Sequence, residues 1–268
     1  MACIKARGLI EQGHFIFIFM LRKEMKLLLF CLCLVSLFLP LLGGKCIKGG
    51  DKVNAYKYPF IARLLTDRPP GGRCTGSLVK NNLILTAAHC FEKNGHIYEG
   101  GTATFFDASQ DCREGKEMKI GMKLVKTYKG SDLALARLDR KVKGIMPAKI
   151  NRKKFKPGSS VRVVGFGMHD YREQDWHLRH IILKMSFFNG TYLGTKVGPD
   201  NEGPCAGDSG GPLMVQAGGR WTILGTLLGH GYDCQEGRTD ADHPDDVWSS
   251  VRVMKSDDLR RCMKSKSC

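Results

Sequence analysis

Three short segments of this chain are chemically incomplete alone, and they lie far apart in sequence. They are Thr86-Ala87-Ala88-His89-Cys90, Ser131-Asp132-Leu133-Ala134-Leu135 and Gly207-Asp208-Ser209-Gly210-Gly211-Pro212. A serine hydroxyl is a poor nucleophile until a base takes its proton and backbone N–H groups face the developing oxyanion. Ser209 stands between glycines, on backbone open to geometries that a Cβ resists. His89 can be the base, and Asp132, set in an apolar run, can orient it. The set works only if the fold draws all three together.

Each member has a plainer reading in isolation. A histidine beside a cysteine is more often structural or a zinc ligand, but zinc needs further Cys or His at ligand spacing and the other candidates are scattered. Asp132 alone caps or pairs at a strand end, and Ser209 alone is a turn serine. The fold signal is β. Short runs rich in aliphatic and β-branched residues, Leu83 to Thr86, Met122 to Val125, Val161 to Val164 and Trp221 to Leu228, recur with turn signals between them. Helical signal is thin until Val253 to Met263, and no internal sequence repeat is visible.

Further motifs stand in order around these segments: Ile47-Lys48-Gly49-Gly50, Tyr58-Pro59-Phe60, Cys74-Thr75-Gly76-Ser77-Leu78 and Gly165-Phe166-Gly167. From Ile47 onward the chain resembles the chymotrypsin-like (trypsin-type) serine proteases. That resemblance implies an all-β fold of two six-stranded antiparallel β-barrels with a C-terminal helix. Barrel one would cover about 47–150 and barrel two about 151–268, with the site in the cleft between them. It implies that Ser209 attacks the scissile carbonyl, that His89 shuttles the proton, that Asp132 orients His89, and that the amides of Gly207 and Ser209 form the oxyanion hole. Asp208 would pair with the new α-amino group of Ile47 after cleavage, as in a zymogen. The implied disulfides are Cys74–Cys90 and Cys205–Cys234. Cys46, Cys112, Cys262 and Cys268 cannot be paired from sequence.

The implied substrate pocket consists of Gly203 at its base, Ala206, His230 at the entrance and Asp246 on a wall. Trypsins carry aspartate at the base, so Gly203 predicts an apolar or broad preference, of chymotrypsin or elastase kind. Asp246 either draws a Lys or Arg side chain or is an exposed loop acid among Asp240, Asp242 and Asp245. Leu228-Gly229-His230 replaces the family's Ser-Trp-Gly, which leaves Asp132 one donor short. No metal or organic cofactor is implied. The expected partners are protein substrates and serine protease inhibitors, and the expected state is a monomer.

Residues 1–46 read as a leader. Met25-Lys26 and the apolar run Leu27 to Leu42 form a secretory signal peptide, with a signal anchor as the alternative. The expected destination is the cell exterior or a secretory granule, with no membrane segment after cleavage. Cys46 stands where the family has Arg or Lys before the mature N-terminus, so activation departs from the usual pattern. Cleavage after Cys46 by signal peptidase, or after Gly44 followed by dipeptide removal, would expose Ile47. The sequence carries 42 Lys/Arg against 26 Asp/Glu, a net charge of +16. Basic residues crowd at Arg113 to Lys129, Arg137 to Lys143 and Arg152 to Lys156. They are either solvated surface charge or a site for a sulfated glycosaminoglycan. Nucleic acid is excluded by compartment and by the lack of a recognition motif. Asn189-Gly190-Thr191 is a glycosylation sequon. The rival function is a protease homologue that binds heparin or serves defence without cutting.

Overall fold

The structure is a computed structural model, and it describes residues 47, 50–106, 117–128, 130–151, 156–168, 177–198, 202–229, 232–233, 238–239, 245–250 and 261–262. Strands β1 (Ile61–Thr66), β2 (Gly72–Lys80), β3 (Leu83–Ala87), β4 (Gly100–Phe106), β5 (Glu117–Tyr128) and β6 (Leu133–Leu138) build the first half. They pair antiparallel in the order β1-β2-β3-β6-β5-β4 and close, β4 returning to β1. Closure leaves no open edge in the ring.

The second half has β7 (Ser160–Gly165), β8 (Arg179–Phe188), β9 (Tyr192–Lys196), β10 (Pro212–Ala217), β11 (Arg220–Gly229) and β12 (Asp245–Ser250). Their order is β7-β8-β9-β12-β11-β10, with β10 closing on β7. The connectivity of the first ring is thus repeated strand for strand. The double six-stranded barrel expected from sequence is present, and the four β-rich runs all fall inside strands.

Period-2 alternation explains how barrel two fills. Val161 and Val163 of β7 pair with Leu183 and Ile181 of β8, and all four are buried in one cluster with Leu213, Leu224 and Trp248. Ile47 belongs to the same cluster and is fully buried. The opposite faces of these strands look toward barrel one, where Val164, Met214 and Ile223 join the cluster containing Leu64, Leu85 and Leu135. Strand β3, Leu-Ile-Leu-Thr-Ala, is therefore buried at every position. One face fills barrel one and the other meets the neighbouring half.

The expected closing helix from Val253 to Met263 lies outside the described residues except for Arg261 and Cys262. Cys262 is buried against the barrel-one cluster, and its carbonyl accepts a hydrogen bond from Arg137 Nη2 at 2.5 Å. The leader run Leu27 to Leu42 is likewise outside the described residues. Among the described residues no helix is long and apolar enough to cross a membrane.

Candidate active site

His89 and Asp132 leave adjacent strands at the same end. Ala87 is the last residue of β3 and pairs with Leu133, the first of β6. The next residues on each side are therefore neighbours. Beyond Ala87 the chain tightens into a 3-10 turn, Ala88–Phe91, whose small first residue lets it lie against β6. The Ala88 amide donates to the Asp132 carbonyl at 3.1 Å. The Asp132 carboxylate grips His89 twice: Oδ1 accepts from the His89 amide at 2.7 Å, and Oδ2 lies 2.5 Å from Nδ1. One contact fixes the backbone and the other fixes ring orientation, with Nδ1 carrying the proton. Both oxygens of Asp132 are engaged, despite Leu228 standing where a serine was expected. The Cys74–Cys90 disulfide closes the histidine turn onto β2. Ligand atoms of Cys74, His89 and Cys90 lie within 4.8 Å of one another. Both sulfurs are bonded to each other, however, and a thiolate is what binds zinc.

Ser209 arrives from the other barrel, in the turn before β10. Gly210 has φ +75, and a Cβ there would sit 2.1 Å from Thr86 Oγ1 and 2.7 Å from both the Ala87 amide nitrogen and the Thr75 carbonyl oxygen. Only glycine lets the serine turn press so close to the end of β3, two residues before His89. Hydrogen bonds across the seam hold it there. The Thr75 amide donates to the Ser209 carbonyl at 2.9 Å. Thr75 Oγ1 donates to the Gly207 carbonyl at 2.9 Å and accepts from the Phe166 amide at 3.1 Å.

The amides of this turn alternate in use. Those of Asp208, Gly210 and Gly211 donate to the carbonyls of Cys205, Leu227 and Asp208 at 2.9, 3.0 and 2.7 Å. Among the described residues, the amides of Gly207 and Ser209 donate to nothing in the chain. Two available N–H groups beside a serine oxygen are the donor set that an oxyanion requires.

Asp208 points away from the cleft into barrel two and is 1 % exposed. Its Oδ1 accepts from the Gly167 amide at 2.7 Å and its Oδ2 from the Cys205 amide at 2.9 Å. A Cβ on Gly165 or on Gly167 would collide with the carboxylate, so Gly165-Phe166-Gly167 is the notch that admits it. Burial pushes the Asp208 carboxyl up to about 7, against the pull of the two amides and of the Arg179 guanidinium. Ile47 is buried in the same barrel and has φ 41, a conformation that a β-branched residue resists.

Of the expected pocket residues, Gly203 is buried and Ala206 is exposed, its carbonyl taking the Met168 amide at 2.7 Å. Asp246 is not an exposed loop acid. It lies on β12, fully buried, opposite Thr195 in the register. Its Oδ2 accepts from Thr195 Oγ1 at 3.3 Å, and Thr195 Oγ1 in turn accepts from Trp248 Nε1 at 3.1 Å. His230 lies outside the described residues. Cys205 is disulfide-bonded, and its expected partner Cys234 is outside them too. Cys262 is also disulfide-bonded, whereas Cys46, Cys112 and Cys268 are outside. Asn189 is exposed, and its Oδ1 accepts from the amides of Thr191 and Tyr192.

Two residues near the site have no role in the sequence analysis. Thr75 was visible only as a motif letter, yet its side chain ties the serine turn to β2. Arg179 stands at an inward position of β8, and its one sequence signal was a charge at the head of the apolar alternation that follows.

The serine turn, the histidine held by an aspartate and the two available amides thus lie at the seam of the two barrels. The trypsin family model matches residues 47–244, and the chain belongs to that family of serine proteases. It is 30% identical over 185 residues to the thrombin-like enzyme elegaxobin-1 of Protobothrops elegans, covering 62% of this chain and 78% of that protein. It is 28% identical over 193 residues to the beta-fibrinogenase mucrofibrase-1 of Protobothrops mucrosquamatus, covering 64% and 73%. Among solved structures, a mutant of human heparin binding protein matches with TM-score 0.64 at 20% identity, over 82% of this chain and 99% of that one.

Proposed function

We propose that this chain is a secreted serine endopeptidase that cuts peptide bonds through an acyl-enzyme. Ser209 Oγ attacks the scissile carbonyl while His89 Nε2 takes its proton. The amides of Gly207 and Ser209 receive the oxyanion. His89 then protonates the leaving amine, and a water activated by the same imidazole releases the acyl group. Asp132 keeps Nδ1 protonated, so that Nε2 is the basic nitrogen, and stabilises the imidazolium. The alternation of amide use around Ser209 is the observation that carries the reading: the half-buried Gly207 and Ser209 keep N–H groups without a protein acceptor, while the buried Asp208 and Gly210 have theirs paired. Replacing Ser209 with alanine should lower peptide hydrolysis by roughly a million-fold. Undiminished cleavage by Ser209→Ala would overturn the reading.

Exposure of the Ile47 amino group is the proposed activation step. A free amine at Ile47 has no preceding carbonyl, which removes the steric conflict behind its left-handed φ, and it supplies a cation for buried Asp208. Sequencing the N-terminus of the secreted protein tests this: a mature chain starting elsewhere would exclude it.

The proposed preference is apolar or broad. Gly203 adds no charge to the pocket base, and a hydroxyl donor already meets one oxygen of Asp246. His230 at the entrance and Ala206 along the wall would limit side-chain size. A peptide library varied at the residue before the cut should favour apolar side chains. Selection of Lys or Arg instead would assign Asp246 as their acceptor. The partners are then extracellular protein substrates and serine protease inhibitors.

A second reading, a heparin-binding homologue that does not cut, is favoured by the 36 Lys/Arg against 24 Asp/Glu of residues 47–268 and by the fold shared with heparin binding protein. A fluorophosphonate probe separates the two, since it labels Ser209 only where the oxyanion amides are in place. Salt-dependent retention on immobilised heparin tests the polyanion site alone.

A further inference from the structure

The two rings meet at a second place, apart from the Thr75 bonds. Strands β8 and β9 are joined by Asn189-Gly190-Thr191, the tip of a hairpin of barrel two. At the foot of this tip Tyr192 Oη donates to the Gly130 carbonyl at 3.1 Å. Gly130 belongs to barrel one and stands two residues before Asp132, whose carboxylate holds His89. The segment that receives the tyrosine is itself a closed turn, with the Ser131 amide donating to the Tyr128 carbonyl at 3.1 Å. The hairpin is therefore moored at the end of barrel one from which His89 and Asp132 emerge. Its tip presents one free atom. The Asn189 amide donates to the Tyr192 carbonyl at 3.1 Å, and Gly190 makes the bend at φ +99. Asn189 Oδ1 accepts from the amides of Thr191 and Tyr192 at 3.1 and 2.7 Å. In a planar side-chain amide the oxygen and nitrogen point to opposite sides of Cγ. With Oδ1 turned in on two backbone donors, Nδ2 faces out, and among the described residues it has no acceptor. Asn189-Gly190-Thr191 is also the one Asn-X-Ser/Thr of the whole sequence.

We propose that Asn189 carries an N-linked oligosaccharide that screens the cleft on its Asp132 side, slowing long polypeptides while small molecules reach Ser209 unhindered. The inference rests on the secreted serine protease reading given above and adds a modification that selects what reaches the same site. The oligosaccharide comes from a lipid-linked diphosphate donor in the secretory pathway. The bond from its first sugar carbon to the diphosphate breaks, a bond from that carbon to Nδ2 forms, and Nδ2 releases one proton. Only the outward nitrogen is used, so the two bonds to Oδ1 survive the transfer. Those bonds and the Tyr192 mooring fix the point from which the sugar grows. Tyr192 already spans from this turn to barrel one with a single side chain, and a branched oligosaccharide is longer and bulkier than that. It overhangs residues 130–132, which border the cleft on the barrel-one side. An extended chain lying along that border loses directions of approach, and its association slows. A fluorophosphonate needs only Ser209 and the oxyanion amides.

The test uses mature protein secreted from a eukaryotic host and takes two readouts, the rate of casein cleavage and the rate at which a fluorophosphonate labels Ser209. Treatment with an N-glycosidase should lower the intact mass of wild type and leave that of Thr191→Val unchanged. Thr191→Val removes the sequon but keeps Asn189 and both amides that bond its oxygen. This variant and deglycosylated wild type should each cleave casein at least about threefold faster than glycosylated wild type, with equal labelling rates. Glycosylated Tyr192→Phe, released from Gly130, should fall between them on casein. A substitution that merely loosened the site would change labelling as well. Should Thr191→Val fold poorly, deglycosylated wild type carries the comparison with its side chains at 191 and 192 intact. Wild type that bears no sugar overturns the proposal, and so does casein cleavage that stays the same once the sugar is removed. Both results spare the protease reading as long as Ser209 labels. Absence of labelling in every form sinks both.

Discussion

Gly210 is where a single hydrogen atom decides the site. An alanine there would meet two backbone atoms and the Thr86 hydroxyl, in a left-handed conformation that L residues avoid. Gly210→Ala should destabilise by about 2–4 kcal/mol, and Ser209 should lose reactivity toward fluorophosphonate even where folding survives. Thermal melting and labelling rate check the two effects separately. Asp208 carries a different signature, one of pH. Its carboxyl titrates near 7 in the folded uncut chain and near 3.8 when unfolded, so folding takes up a proton between those values. Stability from this group is fully present below about 3.8 and is lost as pH rises toward 7. Asp208→Asn should remove that decline from melting curves of the uncut chain. The proposed triad residues stand out in the sequence because His89 and Ser209 sit among small residues and glycine and Asp132 sits at the head of an apolar run. The use of Gly165 and Gly167 as a notch was not legible, since a glycine records space without saying what fills it.

At the level of elements, the join between β8 and the strands around it is a polar knot under apolar cover. Tyr58 Oη lies 2.6 Å from His180 Nδ1, and Arg162 Nη1 donates to both, at 3.1 Å and 2.7 Å. Trp221 packs over Tyr58 and Arg162. Because Arg162 only donates, Nδ1 must accept, and His180 is neutral. Burial, then Arg162 and Lys57, lower its pKa to about 4, with Asp51 opposing them. Stability from this knot is present above the ordinary value of 6.5 and is lost as pH falls through about 4. That slope is opposite to the one from Asp208 over much the same range. Wild type should therefore look flatter than either variant: His180→Gln should expose the decline toward pH 7, and Asp208→Asn the decline toward pH 4. A second element-level prediction concerns β2. Thr75→Val keeps the shape but leaves the Phe166 amide and the Gly207 carbonyl without their partner. It should cost about 2 kcal/mol and slow labelling of Ser209; an unchanged rate would mean that the seam does not position the serine turn. Sequence placed these strands well, since aliphatic alternation is a local signal. It said nothing of Thr75 or His180, whose roles depend on partners that stand 91 and 122 residues away.

Across the whole molecule the two rings share one strand order, although the sequence shows no repeat. Closure and alternation constrain only which positions are apolar, and many residues satisfy that, so connectivity persists where letters do not. The proposed catalytic set straddles the rings, with His89 and Asp132 on one and Ser209 on the other. Neither half alone contains a complete site, and halves produced separately should be inert until mixed. The seam bonds through Thr75 have a mechanical outcome. They stitch the serine turn to the opposite ring at its backbone, which opposes separation of the two rings at that point. Under the proposed function, a substrate then has to offer its bond on an extended loop or a frayed terminus, so that the site of cutting in a given partner is set by where that partner's own chain comes loose.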